Sequence, residues 1–129
     1  MKKILVDTNF LLMQFEDGID IRANLQRIVH GPITLIISTG TQDELRTLAG
    51  RNGKRAVAAR FVLQNFGKLA EAFAVETVPS KGPVDDWIIK YARENDVTVA
   101  TNDIPLRSRL RGLGVPLIAS KSRSKLDFV

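Results

Sequence analysis

Four stretches of this sequence place acidic side chains where chemistry could gather: Asp7, Glu44, the pair Asp85-Asp86, and Asp103. They lie far apart along the chain, yet each stands beside a boundary between an apolar run and a helical pattern. Asp7 directly follows Ile4-Leu5-Val6, and Asp103 follows the run 97–100 after two polar residues. Glu44 and Asp86 open helical stretches. Carboxylates brought together repel one another and are driven towards protonation, a penalty that a bound divalent cation removes. The chain has no Cys and a single His, His30. An all-oxygen donor set of this kind suits Mg²⁺ or Mn²⁺ rather than zinc. The same counts exclude a disulfide scaffold, a zinc finger and thiolate catalysis, and they disfavour Ser/His/Asp hydrolysis.

The elements that would position these acids follow from periodicity. Residues 33–38 read as a buried strand, and 3–6, 73–78, 97–100 and 115–119 as further strands. Helical spacing begins at about Phe10 and recurs over 19–29, 41–50, 53–66, 83–95 and 104–111. Thr41 reads as an N-cap with Glu44 at capping-box spacing. Val57, Phe61 and Leu63 read as the inward side of the 53–66 helix, and Trp87, Ile88, Tyr91 and Ala92 as that of the 83–95 helix. Residues 79–83 form the clearest loop, and 120–124 read as a polar, basic tail. Alternation of strand and helix predicts a three-layer α/β/α sandwich around a parallel sheet of four or five strands. In such sheets ligands bind beyond the carboxyl ends of the strands, which is where Asp7, Glu44, Asp86 and Asp103 could converge. Each acid also has an ordinary reading as a turn residue or helix cap.

Length, charge and hydropathy frame this picture. The 129 residues suit one domain, taken as 1–129, with a 44% hydrophobic and 26% charged composition typical of globular chains. The net charge of +5 conceals two basic blocks without a single acid. One holds Arg46, Arg51, Lys54, Arg55, Arg60 and Lys68; the other holds Arg107, Arg109, Arg111, Lys121, Arg123 and Lys125. Basic blocks attract phosphate backbones, although solvated helix faces give the same pattern. The apolar run after Met1-Lys2-Lys3 stops at Asp7, too short for a signal peptide. No stretch approaches the ~20 apolar residues of a spanning helix. The expectation is a cytoplasmic protein without membrane contact.

Taken in order, Val6-Asp7-Thr8-Asn9, Glu44-Leu45, Asp86-Trp87-Ile88-Ile89 and Val99-Ala100-Thr101-Asn102-Asp103 resemble the successive signatures of the PIN domain nucleases. The resemblance runs over essentially the whole chain. It implies a compact α/β/α sandwich and metal-dependent hydrolysis of RNA phosphodiesters, with one or two Mg²⁺ or Mn²⁺ ions held by Asp7, Glu44, Asp86 and Asp103. Asp86 is preferred to Asp85 by its spacing to Ile88-Ile89, and Asp85 stays as a substitute. Asn9 and Thr101 match supporting positions that would orient Asp7 and Asp103. Pro105 stands where many relatives carry a further Asp, which leaves the number of ions open. Arg46, Arg51, Lys54, Arg55, Arg107, Arg109 and Arg111 would grip RNA. The expected partners are an RNA substrate such as a ribosomal precursor, an antitoxin if the chain serves a VapBC-type pair, and a second copy in a homodimer. A non-catalytic RNA-binding module is the remaining alternative.

Overall fold

A computed structural model describes residues 2–129; Met1, which opens the basic N-terminal stretch, lies outside the described residues. The sheet has six strands: β1 (Lys2–Val6), β2 (Ile33–Ser38), β3 (Ala74–Val78), β4 (Thr98–Ala100), β5 (Leu117–Ser120) and β6 (Leu126–Phe128). Their order is β3-β2-β1-β4-β5-β6. The first five run parallel, with Ile4 beside Leu35 and Val6 beside Ala100, and β6 returns antiparallel to β5. Seven helices surround them: α1 (Thr8–Glu16), α2 (Ile21–Ile28), α3 (Thr39–Ala49), α4 (Lys54–Gln64), α5 (Phe66–Ala72), α6 (Val84–Glu94) and α7 (Ile104–Gly112). None is long and apolar enough to cross a membrane among the described residues.

Strand alternation builds two cores. Ile4, Val6, Leu35, Ile37, Ala100 and Ile118 face the larger one, filled by Phe10, Leu11, Leu12, Leu25, Leu45 and Val62 from α1–α4. Leu5, Ile36, Val99 and Leu117 face the other, covered by Ile88 and Ala92 of α6 and Leu106 and Leu110 of α7. Successive residues of a strand point to opposite faces, so apolar residues run unbroken through strands covered on both sides.

Three expectations are corrected. The sheet gains a sixth strand from the tail. Leu126 is fully buried, and Arg27 of α2 donates to its carbonyl at 2.7 Å while Asn24 accepts from its N–H at 3.0 Å. Residues 53–72 form two helices, and Val57 is 42% exposed. The buried stripe of α4 is instead Ala56, Ala58, Ala59 and Val62, small side chains that let α4 pack closely on α3 and α1. Thr41 is not the cap of α3. Strand β2 runs straight into the helix, and the Ser38 hydroxyl accepts from the Thr41 N–H at 3.0 Å. Glu44 therefore stands more than a turn inside α3, released from capping.

The chain leaves β1 towards the larger core and leaves β4 towards the other. Helices thus depart to opposite faces at two neighbouring strand ends. That divergence opens a crevice at the carboxyl edge, the topological switch point of an open α/β sheet.

Candidate active site

Asp7 occupies this crevice. It caps α1 through Oδ1, which accepts from the Phe10 N–H at 2.7 Å, and its side chain is almost wholly buried (5% exposed). Its Oδ2 accepts from the Thr101 hydroxyl, which comes from the end of β4. The same hydroxyl oxygen accepts from the Asp103 N–H at 3.1 Å. Asp103 caps α7 by accepting from the Leu106 N–H at 2.9 Å. One threonine thus joins both acidic strand ends. Asn102 points elsewhere: it accepts from the Ser120 N–H at 2.8 Å and donates to Ser120 Oγ at 3.0 Å, fastening the loop to β5.

Electrostatics sharpen the picture. Burial pushes the Asp7 carboxyl from 3.8 up to about 6, opposed by the Thr101 and Phe10 hydrogen bonds and reinforced by the charges of Asp85 and Asp103. Asp85 is also raised, by desolvation first and then by Asp103. Asp7 thus feels the charges of Asp85 and Asp103, and Asp85 feels that of Asp103, eased by Arg109. Asp86 turns outwards. Its carboxylate meets Arg109 at 3.4 Å with both side chains more than half exposed. The geometry thus sets Asp85, rather than the preferred Asp86, in the crevice. A sequence signal existed: Asp85 precedes Ile88 by three positions and Ala92 by seven, on the stripe of α6 that faces the sheet.

Glu44 approaches from α3, where its Oε1 accepts from the Thr8 hydroxyl at 3.1 Å. Thr8, next to Thr41 Oγ1 at 3.3 Å, is a positioning residue that sequence reasoning did not single out; its signal was a hydroxyl directly after a strand-end acid. Asn9 is exposed and accepts from Arg55 rather than contacting Asp7. Two grooves meet at Asp43 and Glu44. One runs along Gly82, Pro83, Val84 and Asp85; the other passes Thr8, Asn9, Thr47, Arg51 and Arg55.

The basic residues divide. Arg51 and Arg55 line the groove beside Glu44, and Arg109 stands beside Asp86. Arg46 pairs with Asp43 at 3.6 Å. Lys54 and Arg111 are exposed, and Arg107 is half-buried. Among the described residues no three acidic side chains stand close enough, as oriented, to ligate an ion together. Asp7 and Asp103 direct an oxygen to a helix cap, and Glu44 leans to Thr8. The donor chemistry nevertheless fits a hard cation. The donors are all carboxylates, and burial first, then the charge of neighbouring acids, raises Asp7 and Asp85.

A mostly parallel sheet with acids from separate segments at its switch point, beside an arginine-lined groove, places the chain among the α/β/α sandwiches with a carboxylate-bearing edge. The chain belongs to the PIN-like domain family, whose model matches residues 4–123. It is 30% identical to Ribonuclease VapC4 of Methanocaldococcus jannaschii over 99% of this chain and 97% of that protein. It is 32% identical to Ribonuclease VapC9 of Archaeoglobus fulgidus over 88% and 78%. Among solved structures it resembles the PIN domain endonuclease Utp24, with a TM-score of 0.77 and 26% identity over 98% of this chain and 90% of that one. A domain of a functionally unknown protein from M. jannaschii shares the fold, with a TM-score of 0.73.

Proposed function

We propose that this protein is a divalent-metal-dependent endoribonuclease. What supports this reading is buried Asp7 at the β1/β4 switch point, joined to Asp103 through Thr101, with Glu44 leading into a groove lined by Arg51 and Arg55. Asp7, Glu44, Asp85 and Asp103 are the proposed ligands, and Asp86 is not. A bound Mg²⁺ or Mn²⁺ would lower the pKa of a coordinated water and stabilise charge on the phosphate oxygens. The chain's own residues do the rest. Thr101 holds Asp7 and the Asp103 backbone in one register, Thr8 aims Glu44, and Arg51 and Arg55 neutralise phosphates along the groove at a salt-sensitive strength. Similarity to the VapC ribonucleases and to a PIN domain endonuclease supports this reading.

The deciding assay is cleavage of labelled single-stranded RNA by purified protein. EDTA is expected to reduce the rate about 10³-fold or more, the scale of several kcal/mol of metal stabilisation, and Mn²⁺ or Mg²⁺ to restore it. Added Mn²⁺ should also raise the melting temperature, because an ion that binds only the folded state stabilises it. Full activity in EDTA would sink the metal assignment.

Thr101→Val offers a finer test. It removes a hydrogen bond that favours ionised Asp7, so protons should compete more strongly with the metal. The acidic limb of the pH–kcat/KM profile is expected to move to higher pH. A profile that stays in place while kcat alone falls would show that Thr101 acts otherwise.

For biological role, the proposed reading is processing of structured RNA such as a ribosomal precursor, supported by the two basic blocks. The second reading, a toxin with an antitoxin partner, is favoured by the VapC relatives at 30% and 32% identity. Induced expression separates them: rapid growth arrest that the Asp7→Asn variant does not cause speaks for the toxin, and accumulation of uncut precursor on depletion speaks for processing.

A further inference from the structure

The first turn of α6 has a second side, and the catalytic reading makes no use of it. Behind Asp85, a separate groove is lined by Pro79, Ser80, Lys81, Asp86, Trp87 and Lys90. Trp87 is the chain's single tryptophan. Its indole is half-buried and stacks on Tyr91, with ring centres 4.9 Å apart and planes 25° from parallel. The stack fixes the indole where it lines the groove, so little rotamer freedom remains to be lost on binding. The facing wall is also held. Ser80 Oγ accepts from the Gly40 N–H at 2.8 Å, and the Ser80 N–H donates to Thr39 Oγ1 at 2.9 Å. A side chain at position 40 would meet Ser80 Oγ at 2.9 Å, so glycine there lets the 79–83 loop sit against α3. The charge is one-sided. Lys81 and Lys90 are exposed, whereas the groove's lone acid, Asp86, is paired with Arg109.

A rigid aromatic surface beside exposed cations is the pattern by which proteins hold single-stranded nucleic acid: bases stack on the ring, and phosphates meet the charges. We infer that the groove is a docking subsite for a nucleotide of the single-stranded RNA substrate, its base against Trp87 and its flanking phosphates at Lys81 and Lys90. The subsite and the acids lie on opposite sides of one helical turn. A strand crossing the start of α6 reaches both, so Trp87 sets which nucleotide lies over Asp85. This rests on the ribonuclease reading above.

The single tryptophan makes the test direct. Wild-type protein in EDTA is titrated with a fluorescein-labelled ten-nucleotide oligouridylate, and binding is followed by the label's anisotropy. A parallel titration with unlabelled oligomer follows tryptophan emission. Saturable quenching with the same midpoint as the anisotropy is expected. Trp87→Leu should weaken binding about tenfold, on the scale of one stacked base, and Lys81→Ala with Lys90→Ala should flatten the salt dependence. Trp87→Phe should recover most of the affinity, which separates stacking from loss of packing, with melting curves confirming that each variant is folded. Anisotropy that reports binding while emission stays constant would overturn the subsite and leave the ribonuclease reading standing. Equal quenching by duplex RNA would also overturn it. No binding by either signal would overturn the subsite, while the ribonuclease reading stands or falls with the metal-dependent cleavage assay.

Discussion

Asp7→Asn is expected to abolish RNA cleavage and, in EDTA at pH 8, to make the protein more heat-stable than the wild type. Both effects have one origin. The folded protein holds the Asp7 carboxyl at about 6 against an ordinary 3.8. Between those values the folded state keeps a proton that the unfolded chain has released. The contribution to stability is therefore full below pH 3.8 and is lost as pH rises through 6. Above that, ionised Asp7 opposes folding by roughly 3 kcal/mol at most, since one pKa unit corresponds to about 1.4 kcal/mol. Asparagine carries no charge and caps a helix about as well as aspartate, so the variant escapes this cost. Part of the gain is offset because an amide nitrogen in place of Oδ2 cannot accept from Thr101. A net rise of about 3–6 °C is expected at pH 8, shrinking to nothing near pH 4. Melting curves at the two pH values check it. A variant less stable than wild type at both would show that Asp7 is structural rather than a strained ligand.

Separating the neighbouring acids of α6 gives the second large effect. Asp85→Asn is expected to lower kcat/KM by about 10²-fold or more, as loss of a metal ligand should. Asp86→Asn should change it by less than about threefold, because an exposed ion pair contributes only 0–1 kcal/mol. The titration of metal activation separates them further: Asp85→Asn should shift the Mn²⁺ requirement upwards, and Asp86→Asn should not. Equal losses in both variants, or a larger loss for Asp86→Asn, would return the ligand to the outward-facing position.

That pair also shows where sequence reading succeeds and where it stops. Asp7 and Asp103 are legible because a strand, a polar turn and a helix follow one another within a few residues, and only one end of a parallel sheet can receive them. Adjacent helical residues diverge by about 100°, so choosing between Asp85 and Asp86 requires the direction of the apolar face. Ile88 and Ala92 give that direction, whereas the Ile88-Ile89 pair blurs it. Glu44 invited a capping reading because Thr41 stands three residues before it; the cap is Ser38, one residue inside the apolar strand run. The sixth strand was illegible for another reason. Leu126 is a lone buried apolar residue amid a basic stretch, and what holds it are hydrogen bonds to Asn24 and Arg27, about a hundred positions earlier.

The switch-point crevice has a kinetic consequence. Asp7 and Thr101 are 94 positions apart, and the β1–β4 pairing that brings them together joins segments of the same wide separation. Contacts of that sequence separation are slow to form, because the chain entropy lost in closing the loop precedes any gain from the pairing. The half-molecule built from β1, β2 and β3 can already pair its strands, yet it lacks Thr101, Asp85 and Asp103. With the proposed site, hydrolytic competence is expected to be a late event of folding. The return of RNA cleavage during refolding should therefore trail the return of helical signal.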